Sequence, residues 1–219
     1  MKLLTFGGFT FDYLELADGR LVLEICGGNA VYSAIGAHIW NSNVCIAGKI
    51  GRDYPQDWLE ILKKNGINIQ LIQRLTTPHI VVFPAKYGPK GERTIDVPAN
   101  SEILIKPERL QMLYRYLDVE KNIKAILPYM MEPEDFSNFL EPVSAFHCSP
   151  VPIKNQARLA RYFKSRGAMV SSDPLPGTLH SLDKAGFLDE LFENVDIFLP
   201  SIEELSELHF KGSIEDSLN

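Results

Sequence analysis

Short apolar runs alternate along the chain with longer stretches in which apolar residues return at helical spacing. Residues 2–6 read as a buried strand ending at Gly7-Gly8, and residues 44–48, 125–127, 145–148, 168–171 and 196–199 read as further strands. Helices are predicted over residues 33–40, 56–65, 107–117, 133–140, 154–166 and 181–192. In the second of these, Trp58, Leu59, Ile61 and Leu62 keep helical spacing and the pattern stops before Gly66, a residue suited to helix ends. Pro107 opens the third, where its missing N–H would have had no partner anyway. Strands alternating with helices predict an α/β fold: a central, mainly parallel sheet covered by helices, with binding residues at the strands' C-terminal ends.

Two segments depart from this alternation. Tyr13-Leu14-Glu15-Leu16 and Leu21-Val22-Leu23-Glu24-Ile25 flank Ala17-Asp18-Gly19-Arg20, and Asp-Gly between alternating apolar residues predicts a tight hairpin turn. Tyr87-Gly88-Pro89-Lys90-Gly91, between residues 80–83 and 94–97, predicts a second. Together the hairpins, within residues 9–26 and 77–99, predict a small antiparallel β lid.

The candidate chemistry gathers near Cys26-Gly27-Gly28-Asn29-Ala30-Val31-Tyr32. Gly27 and Gly28 precede a small-residue helix, an arrangement that leaves backbone N–H groups open to close approach by a ligand. Asp12 offers a carboxylate to hydrogen-bond donors of a ligand, or else caps a turn or helix. Asn29 either donates its amide to a substrate hydroxyl or caps the helix. Tyr32 either lays its ring on a ligand face or fills core. Arg52 and Asp53, after Gly51, read as a solvated turn pair. Ser201-Ile202-Glu203-Glu204 has the spacing of a capping box at a helix start.

Composition narrows the choice of function. With 28 acidic against 22 basic residues, the formal charge of -6 gives no general attraction for nucleic acid. The residues before Gly7-Gly8 are too few for a signal peptide, and no run is long enough to cross a bilayer, so a cytoplasmic protein without membrane partners is expected. Cys26, Cys45 and Cys148 form no CxxC pair and are expected to be buried thiols. The sequence contains no GxSxG, Walker lysine motif or GxGxxG, the last of which counts against a dinucleotide-dependent oxidoreductase.

The glycine pair with its helix and the following Gly48-Lys49-Ile50-Gly51-Arg52-Asp53 turn resemble the first signature of the PfkB/ribokinase family of carbohydrate and nucleoside kinases. Other family-like segments follow in the family's order: Gly7-Gly8 with Asp12, Gly91-Glu92-Arg93-Thr94, Ser172-Asp173-Pro174, and residues 195–204. The resemblance implies ATP-dependent phosphorylation of a hydroxyl on a small sugar or nucleoside. Asp12, Gly27, Gly28, Asn29 and Tyr32 would hold the acceptor. Ser201 and Glu204 would serve the nucleotide phosphates, and Glu204 would hold Mg2+ through water. Family members also suggest a homodimer formed through the lid.

Three departures accompany the likeness. Tyr32 and Ser201 stand where the family usually has asparagine, and the family's Gly-Ala-Gly-Asp segment, with its catalytic aspartate, is absent from residues 1–219. The resemblance therefore implies an incomplete ribokinase-like domain, with the general base beyond Asn219 and this polypeptide inactive by itself. The alternative is a truncated or degenerate kinase-fold protein that binds a ligand or partner without catalysis.

Overall fold

The computed structural model describes residues 2–139, 141–175 and 186–207. The chain begins with β1 (Leu3–Phe6), β2 (Thr10–Glu15), β3 (Leu21–Gly27), α1 (Asn29–Trp40), β4 (Val44–Ile50), α2 (Gln56–Lys64) and β5 (Asn68–Arg74). β6 (Val82–Tyr87) and β7 (Arg93–Thr94) lead into α3 (Ser101–Leu104), α4 (Pro107–Tyr116) and α5 (Val119–Ile126). β8 (Ala145–Cys148), α6 (Ile153–Lys164), β9 (Met169–Ser172), α7 (Phe187–Asn194), β10 (Ile197–Phe198) and α8 (Ile202–Glu207) follow.

The main sheet has the order β10-β9-β8-β1-β4-β5, and every pairing in it is parallel. Successive side chains of a strand point to opposite faces, so one strand feeds two cores. On β4, Cys45 and Ala47 pack with Leu4, Phe6 and Phe146 against Ala157, Ala160 and Phe163 of α6. Val44, Ile46 and Ile50 pack instead against Ala30, Val31 and Ala34 of α1 and Leu59 and Leu62 of α2. Burial on both faces explains why the central strands read as nearly unbroken apolar runs.

The lid has the order β3-β2-β6-β7. Both hairpins form and each is antiparallel, but β2 and β6 pair in parallel, so the small sheet is mixed. The reason is topological: β2 follows β1 and β6 follows β5, so both leave the carboxyl end of the parallel main sheet and run away from it in the same direction.

Three segments differ from the sequence expectation. Residues 125–127 are no strand but the end of α5 and the 3-10 turn Leu127–Tyr129. Asp118 caps α5, its side chain accepting the Lys121 N–H at 3.1 Å, and Val119, Ile123 and Ile126 recur at helical spacing. The helix expected over 133–140 is the shorter 3-10 turn Pro133–Phe136, and residue 140 lies outside the described residues. Of the helix expected over 181–192, residues 181–185 lie outside the described residues and α7 starts at Phe187. β5 is an additional edge strand; its polar Gln70 and Gln73 interrupt the apolar pattern because only part of it is covered. Cys45 and Cys148 are buried as expected, whereas Cys26 is only partly covered.

Candidate active site

The strand order of the main sheet reverses between β1 and β8. At such a reversal the connections leave to opposite sides, and the crevice at the strands' carboxyl ends is where open α/β sheets bind ligands. Gly8, α1, the root of the lid and Ser149 all meet there.

Asp12 lies inside β2, on the strand face it shares with Thr10 two residues earlier. It is 2% exposed. Thr10 Oγ1 donates to Oδ1 of the carboxylate, and the Tyr32 hydroxyl donates to Oδ2 at 2.7 Å. Burial pushes the Asp12 carboxyl above its ordinary range, with the two hydroxyls pulling the other way. Gly27 is the floor beneath it: a Cβ at that position would fall 2.0 Å from Asp12 Oδ2. The β2–β3 register shifts beside Asp12, leaving Glu24 as an extra residue at φ 55. This is a β-bulge, and it sharpens the local twist of the lid strand next to the carboxylate. Tyr32 is 55% exposed and bonds Asp12, so it is not a core residue.

Gly28 caps α1 at φ 103, and a Cβ on it would meet the Gly8 carbonyl oxygen at 2.3 Å. The close fit brings that carbonyl over the helix start, where it accepts the Ala30 N–H at 3.2 Å. Val31 and Tyr32 donate their N–H groups to the Gly28 carbonyl at 3.0 and 3.1 Å. The first-turn amides expected to face a ligand are therefore largely spent inside the protein, and the glycines act by permitting close packing. Asn29 is the first helical residue and is exposed; Gly28 holds the cap position, which removes the capping account of Asn29.

Hydrogen bonds continue from α1 along the sheet edge. Ser33 Oγ and Ser149 Oγ are 2.7 Å apart, and the fully buried Gln156 donates Nε2 to the carbonyls of Ser149 at 3.3 Å and Asp173 at 2.6 Å. Asp173 follows β9, and Glu204 lies in the first turn of α8. Burial, assisted by the charge of Glu204, pushes the Asp173 carboxyl up to about 6. Ser201 and Glu204 form the expected capping box: Glu204 Oε2 accepts the Ser201 N–H at 2.7 Å, and Ser201 Oγ accepts the Glu204 N–H at 3.2 Å. Glu204 is 4% exposed. Two carboxylates in each other's field suit a hard cation that keeps most of its water, so Mg2+ fits the donor set. No group of three or more such side chains stands ready to cage a metal among the described residues.

Arg52 and Asp53 are exposed, as a turn pair is expected to be, but Asp53 is also part of a built junction. Asp53 accepts the His79 backbone N–H on one oxygen and Arg109 Nη2 on the other, at 3.0 Å. Burial opposes ionisation of Asp53, yet these donors hold its carboxyl below the ordinary range. Arg109 also donates to Glu24 at 3.2 Å and to the His79 carbonyl at 2.6 Å, and stacks 4.4 Å from the centre of the Phe11 ring. His79 is fully buried; its Nδ1 accepts the Gly51 N–H at 3.0 Å, so Nε2 carries the proton and donates to the Phe9 carbonyl at 3.1 Å. Burial lowers the imidazole pKa to about 4 and keeps it neutral. Phe9 precedes β2 and His79 precedes β6, so this one ring bolts together the roots of both parallel lid strands.

Sequence reasoning gives no site role to Thr10, Gln156, His79 or Arg109 and names Asp173 only within Ser172-Asp173-Pro174. Local signals exist for two of them: the two-residue spacing of Thr10 from Asp12, and the Asp-Pro strand end that holds Asp173. A separate cleft of about 700 Å3 near Phe136, Tyr162 and Arg166 lies toward the opposite end of β8 and contains none of the candidate residues.

No protein-family model matches the chain. It is 25% identical over 219 residues to the cytidine kinase of Thermococcus kodakarensis, covering 99% of this chain and 67% of that protein. Ribokinase from Giardia lamblia superposes with a TM-score of 0.63 at 15% identity, over 97% of this chain and 61% of that one. The nucleoside kinase of Methanocaldococcus jannaschii, an archaeal member of the ribokinase family, also gives 0.63 at 15% identity, over 100% and 67%. The fold is ribokinase-like, the structural neighbours are ribokinase/PfkB-type kinases, and the chain spans roughly two thirds of their length.

Proposed function

We propose that the protein is part of a kinase that transfers a phosphoryl group from ATP to a hydroxyl of a small sugar or nucleoside. The observation that carries this reading is the buried Asp12 carboxylate, seated on Gly27 and bonded to Tyr32 of α1, the helix whose Ser33 meets Ser149, which Gln156 in turn ties to the backbone carbonyl of Asp173 beside Glu204. One end of this line suits hydroxyl groups and the other suits a magnesium-bound polyphosphate, as phosphoryl transfer requires of a site that works mainly by positioning.

In this reading Asp12 accepts acceptor hydroxyls, Gly27 and Gly28 let the acceptor approach the backbone, and Asn29 offers an exposed amide. The lid keeps water from the acceptor, favouring transfer over hydrolysis. Glu204, with Asp173 beside it, would hold Mg2+ through water, and Ser201 would contact phosphate. When bound, Mg2+ supplies neutralisation of phosphate charge. Deprotonation of the acceptor falls to an aspartate in the Gly-Ala-Gly-Asp segment that the family carries and residues 1–219 lack. β3, an edge of the small sheet carrying Leu21, Val22 and Leu23, is the surface by which two copies would pair.

The test is ATP consumption by the full-length protein against a panel of sugars and nucleosides that includes ribose, fructose and cytidine. Turnover with one acceptor, abolished by Asp12→Ala, is the expected result. Acceptor binding without turnover would favour the second reading, a kinase-fold protein that binds without catalysis, to which the shorter Ser201 side chain lends support.

A further inference from the structure

Asp12 is the group on which the proposed reading places acceptor hydroxyls, yet both of its oxygens already have protein partners. Thr10, which holds Oδ1, is buried on the same strand. Tyr32, which holds Oδ2, differs in every respect that matters for replacement. It comes from another element, the first turn of α1, and more than half of its side chain faces solvent.

We propose that the Tyr32 hydroxyl is a placeholder for an acceptor hydroxyl on Asp12, and that an acceptor binds by displacing it; the inference rests on the kinase reading and deepens it. Exchanging one neutral hydroxyl for another on the same oxygen yields little net gain, since one hydrogen bond breaks for each that forms. A single acceptor hydroxyl therefore recovers only what Tyr32 gives up. Two adjacent hydroxyls recover that bond and add another, because an ionised carboxylate has four lone-pair sites and Thr10 and Tyr32 use two. Tyr32 thus raises the threshold for entry to acceptors that carry a vicinal diol, as a ribose ring does. The displaced hydroxyl turns to water, so the exchange strands no buried polar group.

The experiment is calorimetric titration of the purified protein and its Tyr32→Phe variant with cytidine and 2′-deoxycytidine, with Asp12→Asn as the control that removes the receiving group. Removing the competing hydroxyl should tighten cytidine binding by about ten- to a hundredfold, the worth of one hydrogen bond to a charged group, and bring 2′-deoxycytidine closer to measurable binding by a similar factor. Weaker binding to Tyr32→Phe would mean that the hydroxyl contacts the acceptor, and unchanged binding that it never competes; either result overturns the placeholder. If neither protein binds cytidine or ribose, the acceptor reading of Asp12 itself fails and the placeholder falls with it. Binding by Tyr32→Phe where the unaltered protein shows none would be its strongest support.

Discussion

Arg109 reaches Asp53 across 56 positions of sequence, Nη2 to Oδ2 at 3.0 Å, and so ties helix α4 to the turn that follows β4. The same guanidinium holds Glu24 on the bulge and the carbonyl of His79. Arg109→Ala removes these charge-assisted bonds and the packing on Phe11 together. Because the side chain is largely covered, the expected cost is about 2–4 kcal/mol by urea unfolding. Arg109→Lys should recover less than half, since an ammonium does not reproduce the planar fork. Full stability in the lysine variant would reduce the junction to a simple charge contact.

Acid should weaken the fold through His79. The buried ring titrates near 4 in the folded chain against an ordinary value of 6.5, so below about pH 6.5 the unfolded chain takes up a proton that the folded chain refuses. Stability is therefore lost as the pH falls from 6.5 toward 4 and not further below, by on the order of 3 kcal/mol in total. Asp53 favours the protonated ring, whereas Arg109 and Arg74 oppose it. His147, also lowered by burial, adds in the same direction. Denaturant unfolding at steps between pH 7.5 and 4.5 would measure the slope, and His79→Asn should flatten most of it.

The two adjacent glycines should fail differently. Gly27→Ala places a methyl group on the Asp12 carboxylate, which must move, so acceptor affinity should fall at least about tenfold while stability drops by roughly 1–3 kcal/mol. Gly28→Ala meets the Gly8 carbonyl and also forces alanine to φ 103, so its larger effect should be on folding itself. Acceptor titrations and melting curves of the two variants would separate these effects.

The polypeptide of residues 1–219, assayed by itself, should not consume ATP in response to any acceptor. It carries Asp12 and the Asp173–Glu204 pair but no Gly-Ala-Gly-Asp run. A missing general base typically costs about two to four orders of magnitude, and a missing anion site a comparable factor. Acceptor-dependent turnover by this polypeptide, lost in Asp12→Ala, would show that a base lies within it.

What the sequence made legible was local. Gly27-Gly28 before a small-residue helix, Asp-Gly between apolar runs and the Ser201–Glu204 spacing each announce their geometry within a few residues. Three apolar residues at 125–127 fit a strand or a helix end equally, and the Asp118 cap decides for the helix. The parallel pairing of β2 with β6 depends on where both strands leave the sheet, which periodicity does not record. Tyr32 carried the pattern of a core residue, and its exposure follows from the site opening beside α1. Arg109 gave no signal, since the oxygen atoms it holds, on Glu24, Asp53 and His79, lie 30 to 85 positions away.

The bond between Ser33 and Ser149 spans 116 positions, and β1 meets β8 by pairing Leu3 with Ala145. β1 pairs with β4 across 41 positions and β2 with β6 across 71, but β8 must come back past all of them, across 142, to find β1. Closing so long a loop precedes any reward from the contacts it permits, and non-local parallel pairing is intrinsically slow. The half of the chain bearing Asp12 can therefore condense while its seam with β8 is still open. Ser149 and Gln156 enter only with β8 and α6, which makes the ligand crevice a late product of folding, complete no sooner than the slowest strand to dock.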